Sequence, residues 1–240
     1  LACVALSAAL LSACSVLPTS HEPIVFKEPT LSAPFYALNP FNYAAPSAFE
    51  LDLKKAENGK NRLIVPATNS NTREISYAKS SNQVDVTEID DFLQMVEGKA
   101  RHYPPRFTER QERKGFEQKL KQVNQQLEAL TAKDNASFDV LIRAFKASVM
   151  ARNLDLGSAY TTKSMNYAQR LQKLNKNDPE LNFWFGFALS EGGGQREAIS
   201  YLDKAMKAGV QEAYLSATNN YLAMEQKKND IQTLKNYKLQ

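Results

Sequence analysis

Polar and apolar positions change rhythm near Thr87. Downstream of it, apolar residues return every three or four positions, the period of a helix that buries one face. Ile89, Phe92, Leu93, Val96 and Ala100 make the first such face. Thr87 stands where an N-cap belongs, and Glu88, Asp90 and Asp91 complement the helix dipole in the first turn. Tyr103-Pro104-Pro105 ends this element. Thr108 with Gln111 three positions on forms a capping-box pattern that opens the next. Phe116, Leu120, Val123, Leu127 and Leu130 then alternate spacings of four and three, a heptad seam. It lasts only about two heptads, so one helix packed along a neighbour is expected rather than a long coiled coil.

Helices and short breaks follow in alternation. The pattern predicts helices over Ser137–Arg152, Ser158–Leu174, Glu180–Glu191, Gln195–Ala208, Gln211–Gln226 and Asp230–Leu239. Asn153 to Gly157, Asn175 to Pro179, Gly192-Gly193-Gly194, Gly209 and Lys228-Asn229 separate them. Phe138, Leu141, Ala144, Phe145, Ser148 and Val149 share one face of the first of these. Paired helices joined by short turns predict an all-α fold built as an α-hairpin array.

Upstream of Thr87 the helical period is lost. Arg62-Leu63-Ile64-Val65, Glu74-Ile75-Ser76-Tyr77 and Val84-Asp85-Val86 are short and β-branched, separated by Asn/Ser/Thr-rich turns. They fit a small β-hairpin or an extended loop equally well. Further back, Pro18, Pro23, Pro29, Pro34, Pro40 and Pro46 recur every five or six residues, which blocks helix and central strand alike. Phe35, Tyr36, Phe41 and Tyr43 lie between these prolines, so part of this tether is expected to lie extended against the folded body. The pattern divides the chain into a leader over 1–13, a Pro-rich tether over 14–47, an irregular or short-β segment over 48–86, a helical hairpin over 87–135 and hairpin repeats over 136–240.

The leader changes the picture most. Residues 1–13 carry no charge and are too short to span a bilayer. They end in Leu11-Ser12-Ala13-Cys14, which resembles the lipobox of bacterial lipoproteins. The resemblance implies cleavage before Cys14 and lipidation of its sulfur. It also implies an N-terminal basic start of the precursor lying before Leu1. Ser15 follows the cysteine, and in this family a residue other than Asp there implies sorting to the outer membrane, with the body expected in the periplasm. Three acyl chains would give stable attachment. Cys3 and Cys14 are the chain's 2 cysteines, so a processed chain would hold no disulfide and no Cys-based zinc site.

Composition sets milder bounds. The 30 Lys plus Arg against 26 Asp plus Glu give a net charge of +4. This falls short of the clustered charge of a nucleic-acid binder.

Residues 183–208, FWFGFALSEGGGQREAISYLDKAMKA, resemble a tetratricopeptide (TPR) repeat. Gly186 stands at the family's small position in the first helix and Leu189 at the large position three on. Ala198, Leu202 and Ala205 match the small-large-small pattern of the second helix. Small residues let two helices cross closely while large ones fill the adjacent holes. Tyr214, Tyr221 and Leu234 suit a following repeat, where Thr218 and Asp230 replace the small residues. Ala144 and Ala168 suggest a preceding one at irregular spacing. In such arrays first helices line a concave groove. Carried over to this sequence, the groove residues are Phe183, Phe187, Ser190, Leu215, Asn219 and Leu222, with the two aromatics as peptide anchors. The alternatives are that the chain's own N-terminal segment fills the groove, or that these residues are core.

No catalytic signature emerges. His21 and His102 lie in the tether and beside Tyr103, and no nucleophile motif, metal-ligand spacing or Walker loop occurs. Gly192-Gly193-Gly194 follows a helix and precedes no Lys-Ser/Thr, so it reads as a turn. No cofactor, nucleic acid or small-molecule substrate is expected. The expectation is an outer-membrane-anchored, non-catalytic adaptor or assembly factor of the cell envelope, bound to the membrane by its anchor and to a protein or peptide partner. The alternatives are a peptidoglycan-active enzyme using carboxylates such as Glu88 or Asp91, and a peptidoglycan-binding structural tether.

Overall fold

The computed structural model describes residues 63–73 and 81–238. The leader, Cys14, the tether and Glu74–Tyr77 lie outside the described residues. Within them the fold is mostly helical, as the period predicts, with one two-stranded sheet. Strands β1 (Ile64–Pro66) and β2 (Gln83–Asp85) pair antiparallel, with Val65 opposite Val84. Eight helices follow: α1 (Thr87–Ala100), α2 (Arg110–Thr131), α3 (Phe138–Asn153), α4 (Ala159–Asn175), α5 (Pro179–Glu191), α6 (Gln195–Lys207), α7 (Glu212–Ala223) and α8 (Lys227–Lys238). Among the described residues no helix is long and apolar enough to cross a bilayer.

Two expected caps fall elsewhere. Thr87 is the first residue of α1, not its N-cap. The Asp85 carboxylate accepts from the Thr87 amide at 3.0 Å and its hydroxyl at 2.6 Å, while the Leu63 amide donates to the same hydroxyl at 2.7 Å. Thr87 therefore ties α1 to Leu63, the residue just before β1. Helix α2 begins at Arg110 with Glu109 as N-cap and no side-chain cap bond, so Thr108 and Gln111 form no capping box. The preceding loop is held instead by Phe107, whose ring packs on Phe116 with centroids 5.5 Å apart. Two other caps act locally as their residue types predict. The Ser137 hydroxyl accepts from the Val140 amide at 3.2 Å and donates to the Pro66 carbonyl at 2.5 Å. Asp178 accepts from the Leu181 amide at 2.8 Å, with Pro179 at the first helical position.

Helix α3 is the centre of the fold. The expected one-sided burial is exceeded: residues on every face are buried, including Asp139 and Arg143. The cause is its surroundings, since α1, α2, α4 and β1 all pack on it. The α2 seam meets α3 through Leu120, Val123 and Leu127. Within that seam Asn124 donates to the Leu120 and Ala147 carbonyls and accepts from the Ser148 hydroxyl.

From α3 onward, consecutive helices form hairpins α3/α4, α5/α6 and α7/α8 that stack side by side. The α5/α6 crossing leaves no room for a side chain at Gly186. A methyl group at Gly186 would lie 2.8 Å from Leu202 Cγ and 3.1 Å from the Ala198 carbonyl. Ala198, Leu202 and Ala205 are fully buried and Leu189 is half-buried. Gly193 and Gly209 take left-handed φ of 88° and 87° just past the ends of α5 and α6. This lets the next amide bond back into the last turn, Gly194 to Leu189 at 2.9 Å and Val210 to Ala205 at 3.0 Å.

Candidate functional site

The first helices of the three hairpins, α3, α5 and α7, lie next to one another. The six residues carried over as a binding groove sit on α5 and α7, and they divide into two groups. Phe183 and Phe187 are 1% and 3% exposed, so they are core and not an exposed anchor pair. Their rings stack 6.0 Å apart, and Trp184 meets both edge-on. His102 covers Phe187 edge-on at 4.9 Å, and the Arg101 guanidinium lies 5.9 Å from the same ring. Ser190 is also engaged, donating to the Gly186 carbonyl at 2.8 Å and accepting from Asn220 on α7 at 2.7 Å. Leu215 is half-buried, Asn219 is exposed and Leu222 is 51% exposed. The accessible part of the groove is thus confined to α7.

What fills the rest is α1 and the loop after it. Its apolar face packs on α3, and its polar edge forms a line of charged contacts across the three first helices. Arg143 on α3 donates to both Asp90 carboxylate oxygens, at 2.6 and 2.7 Å, and to Asp139 at 3.2 Å. Burial pulls the Arg143 pKa down, but the two carboxylates outweigh it and the net shift is upward. Lys146 lies 3.2 Å from Glu97 on α1 and from Glu180 on α5, and 4.9 Å from the Trp184 ring centroid. Arg73 also pairs with Glu180. Arg101 pairs with Glu212 at the start of α7. Asn153, the last residue of α3, donates to the Ala100 and Arg101 carbonyls at 3.1 and 2.6 Å.

Glu191 at the end of α5 completes the line. It meets His102 Nδ1 at 3.3 Å and accepts from the Tyr103 amide at 3.1 Å. Burial pushes its pKa up, but His102, the Tyr103 amide and the nearby Arg152 outweigh this and hold it below the ordinary value. Arg152 is pulled down by its own burial, partly offset by Glu191.

Sequence reasoning missed these partners, although one signal was present. Arg143 and Lys146 interrupt a run that is otherwise apolar, and charges inside a buried helix require partners. Of the acidic cluster at the start of α1, Glu88 and Asp91 are exposed and Asp90 is held by Arg143. Among the described residues no group of three or more His, Cys, Asp or Glu is placed to hold a metal ion. No protein-family model, curated protein or solved structure matches the chain.

Proposed function

We propose that the chain is an outer-membrane-anchored lipoprotein whose body is a TPR-like hairpin array acting as a non-catalytic protein-binding adaptor or assembly factor in the bacterial cell envelope. The observation that carries the reading is the α5/α6 crossing. Gly186, Ala198, Leu202 and Ala205 make the small-to-large contact that the repeat resemblance implies. The lipobox ending in Cys14 supplies the anchor. Carboxylates of the α1 start are solvated or paired, which supports binding over the enzymatic alternative. The partner surface of this reading is the accessible strip of α7, Leu215, Asn219 and Leu222, at the edge of the part that α1 fills.

Two measurements test it. Labelled palmitate should enter the wild-type chain and not Cys14→Ala; equal incorporation removes the anchor. Cross-linking in envelopes should capture a defined protein with wild type and lose it with Leu222→Glu/Asn219→Lys. Both positions are solvent-facing, so the variant should keep the wild-type circular dichroism spectrum. An unchanged capture pattern removes the α7 surface.

A further inference from the structure

On α4 and α6, the second helices of two adjacent hairpins, a cleft of about 440 Å³ opens between the last turns of α4 and the middle of α6. Gln169, Gln172 and Lys173 line it from α4, Lys176 from just past its end, and Tyr201 and Lys204 from α6. The three lysines are exposed. None forms an ion pair with a carboxylate among the described residues. The nearest carboxylates in sequence are engaged elsewhere. Asp178 caps Leu181, and Asp203 interacts with Lys207.

The floor is fixed. Tyr201 is half-buried, with its ring edge-on to Phe185 at 4.6 Å, and Lys204 Nζ stands 5.4 Å from the Tyr201 centroid. Lysines in a last turn complement the helix dipole, and that role requires neither a cleft nor convergence from two helices. Three like charges brought together raise the local potential and favour an anion between them. Ammonium groups bind phosphate as point charges, and three of them converging favour a multiply charged anion such as a phosphate over a single carboxylate.

We propose that this cleft binds a phosphate-bearing ligand, with Lys173, Lys176 and Lys204 on the phosphate oxygens, Gln169 and Gln172 donating beside them, and the adjoining carbon of the ligand on the Tyr201 ring. The phosphate is either that of an anionic lipid headgroup or one on a soluble molecule. The site does not depend on the anchor or on the α7 surface.

The test uses the full chain carrying Cys14→Ala, so that no acyl group drives membrane binding. Flotation with phosphatidylcholine vesicles, with and without phosphatidylglycerol, reads the lipid source. Calorimetric titration with inorganic pyrophosphate reads the soluble one. Binding to at least one probe is expected. Lys173→Gln/Lys176→Gln/Lys204→Gln should weaken it by roughly a hundredfold, about fivefold per lysine. Lys114→Gln/Lys119→Gln/Lys121→Gln, the same charge change on the exposed face of α2, should leave it within about twofold, as expected if the effect is local rather than a matter of net charge. Lys204→Glu alone, on an exposed position, serves as a second variant. Binding to phosphatidylglycerol vesicles alone assigns a headgroup, and binding to pyrophosphate alone assigns a soluble phosphate. Failure of both probes, or equal loss in the α2 control, overturns the site.

Discussion

Arg143 and Asp90 lie 53 residues apart in the chain and meet through two hydrogen bonds of 2.6 and 2.7 Å. The pair joins α1 to the most buried helix of the fold. Breaking a buried pair by removing one partner strands a charge and costs about 3–5 kcal/mol. Asp139 remains beside Arg143, so Asp90→Ala should lose the lower part of that range. Asp90→Leu/Arg143→Met, which removes both charges, should lose less than Asp90→Ala. Urea unfolding midpoints compare the two.

At the α5/α6 crossing, Gly186→Ala gains helix propensity of about 1 kcal/mol. It also places a methyl group 2.8 Å from Leu202 Cγ and 3.1 Å from a backbone carbonyl. Overpacking of this kind costs about 1–3 kcal/mol, and the carbonyl has no rotamer to move to. A net loss of thermal stability is expected, with partial recovery in Gly186→Ala/Leu202→Val. A rise in melting temperature for Gly186→Ala would mean that the helices cross farther apart.

Glu191 sets an acid limb. Its folded pKa lies below the ordinary 4.5. The ionised form is therefore the one the fold favours, and its contribution is complete above 4.5. It is lost as pH falls through the lower folded value. Glu191→Gln should be less stable than wild type at neutral pH, and the difference should shrink below pH 4.5. A constant difference across that range would show that the carboxylate charge is not what matters.

Trp184 is the single tryptophan and is fully buried. Native emission should be blue-shifted and poorly quenched by acrylamide. Phe187→Ala should cost about 3–5 kcal/mol as a large-to-small change in a packed core. It should also raise acrylamide quenching of Trp184, because the ring that separates it from the His102 loop is gone. Unchanged quenching would place the cover elsewhere.

Much of the helical layout was legible in the sequence because it depends on local period and local caps. Ser137 and Asp178 cap their helices through bonds that span three residues, and such contacts are visible from spacing alone. Thr87 misled because its hydroxyl serves Leu63, 24 positions away. Of the two readings of Phe183 and Phe187, anchor pair or core, spacing alone does not choose, for the same reason: their cover is α1 and the following loop, more than eighty residues upstream. A different signal was available. Phe183 to Ala188 are apolar on every side apart from Gly186, and a helix apolar all round is buried. The cleft lysines gave no periodic signal, since their convergence depends on how two hairpins stack.

A row of stacked hairpins behaves as a chain of links, each holding only its neighbours, and such a chain frays from its free end. Helix α1 and the loop after it alter this by reaching from α3 past α5 to Glu212 on α7. They act as a clasp that fastens the first link to the last, so the links between must open together. Among the described residues these contacts stop at Glu212, and α8 packs on α7 alone. Opening of α8 therefore costs only its contact with α7, whereas opening any hairpin between α3 and α7 also costs the clasp.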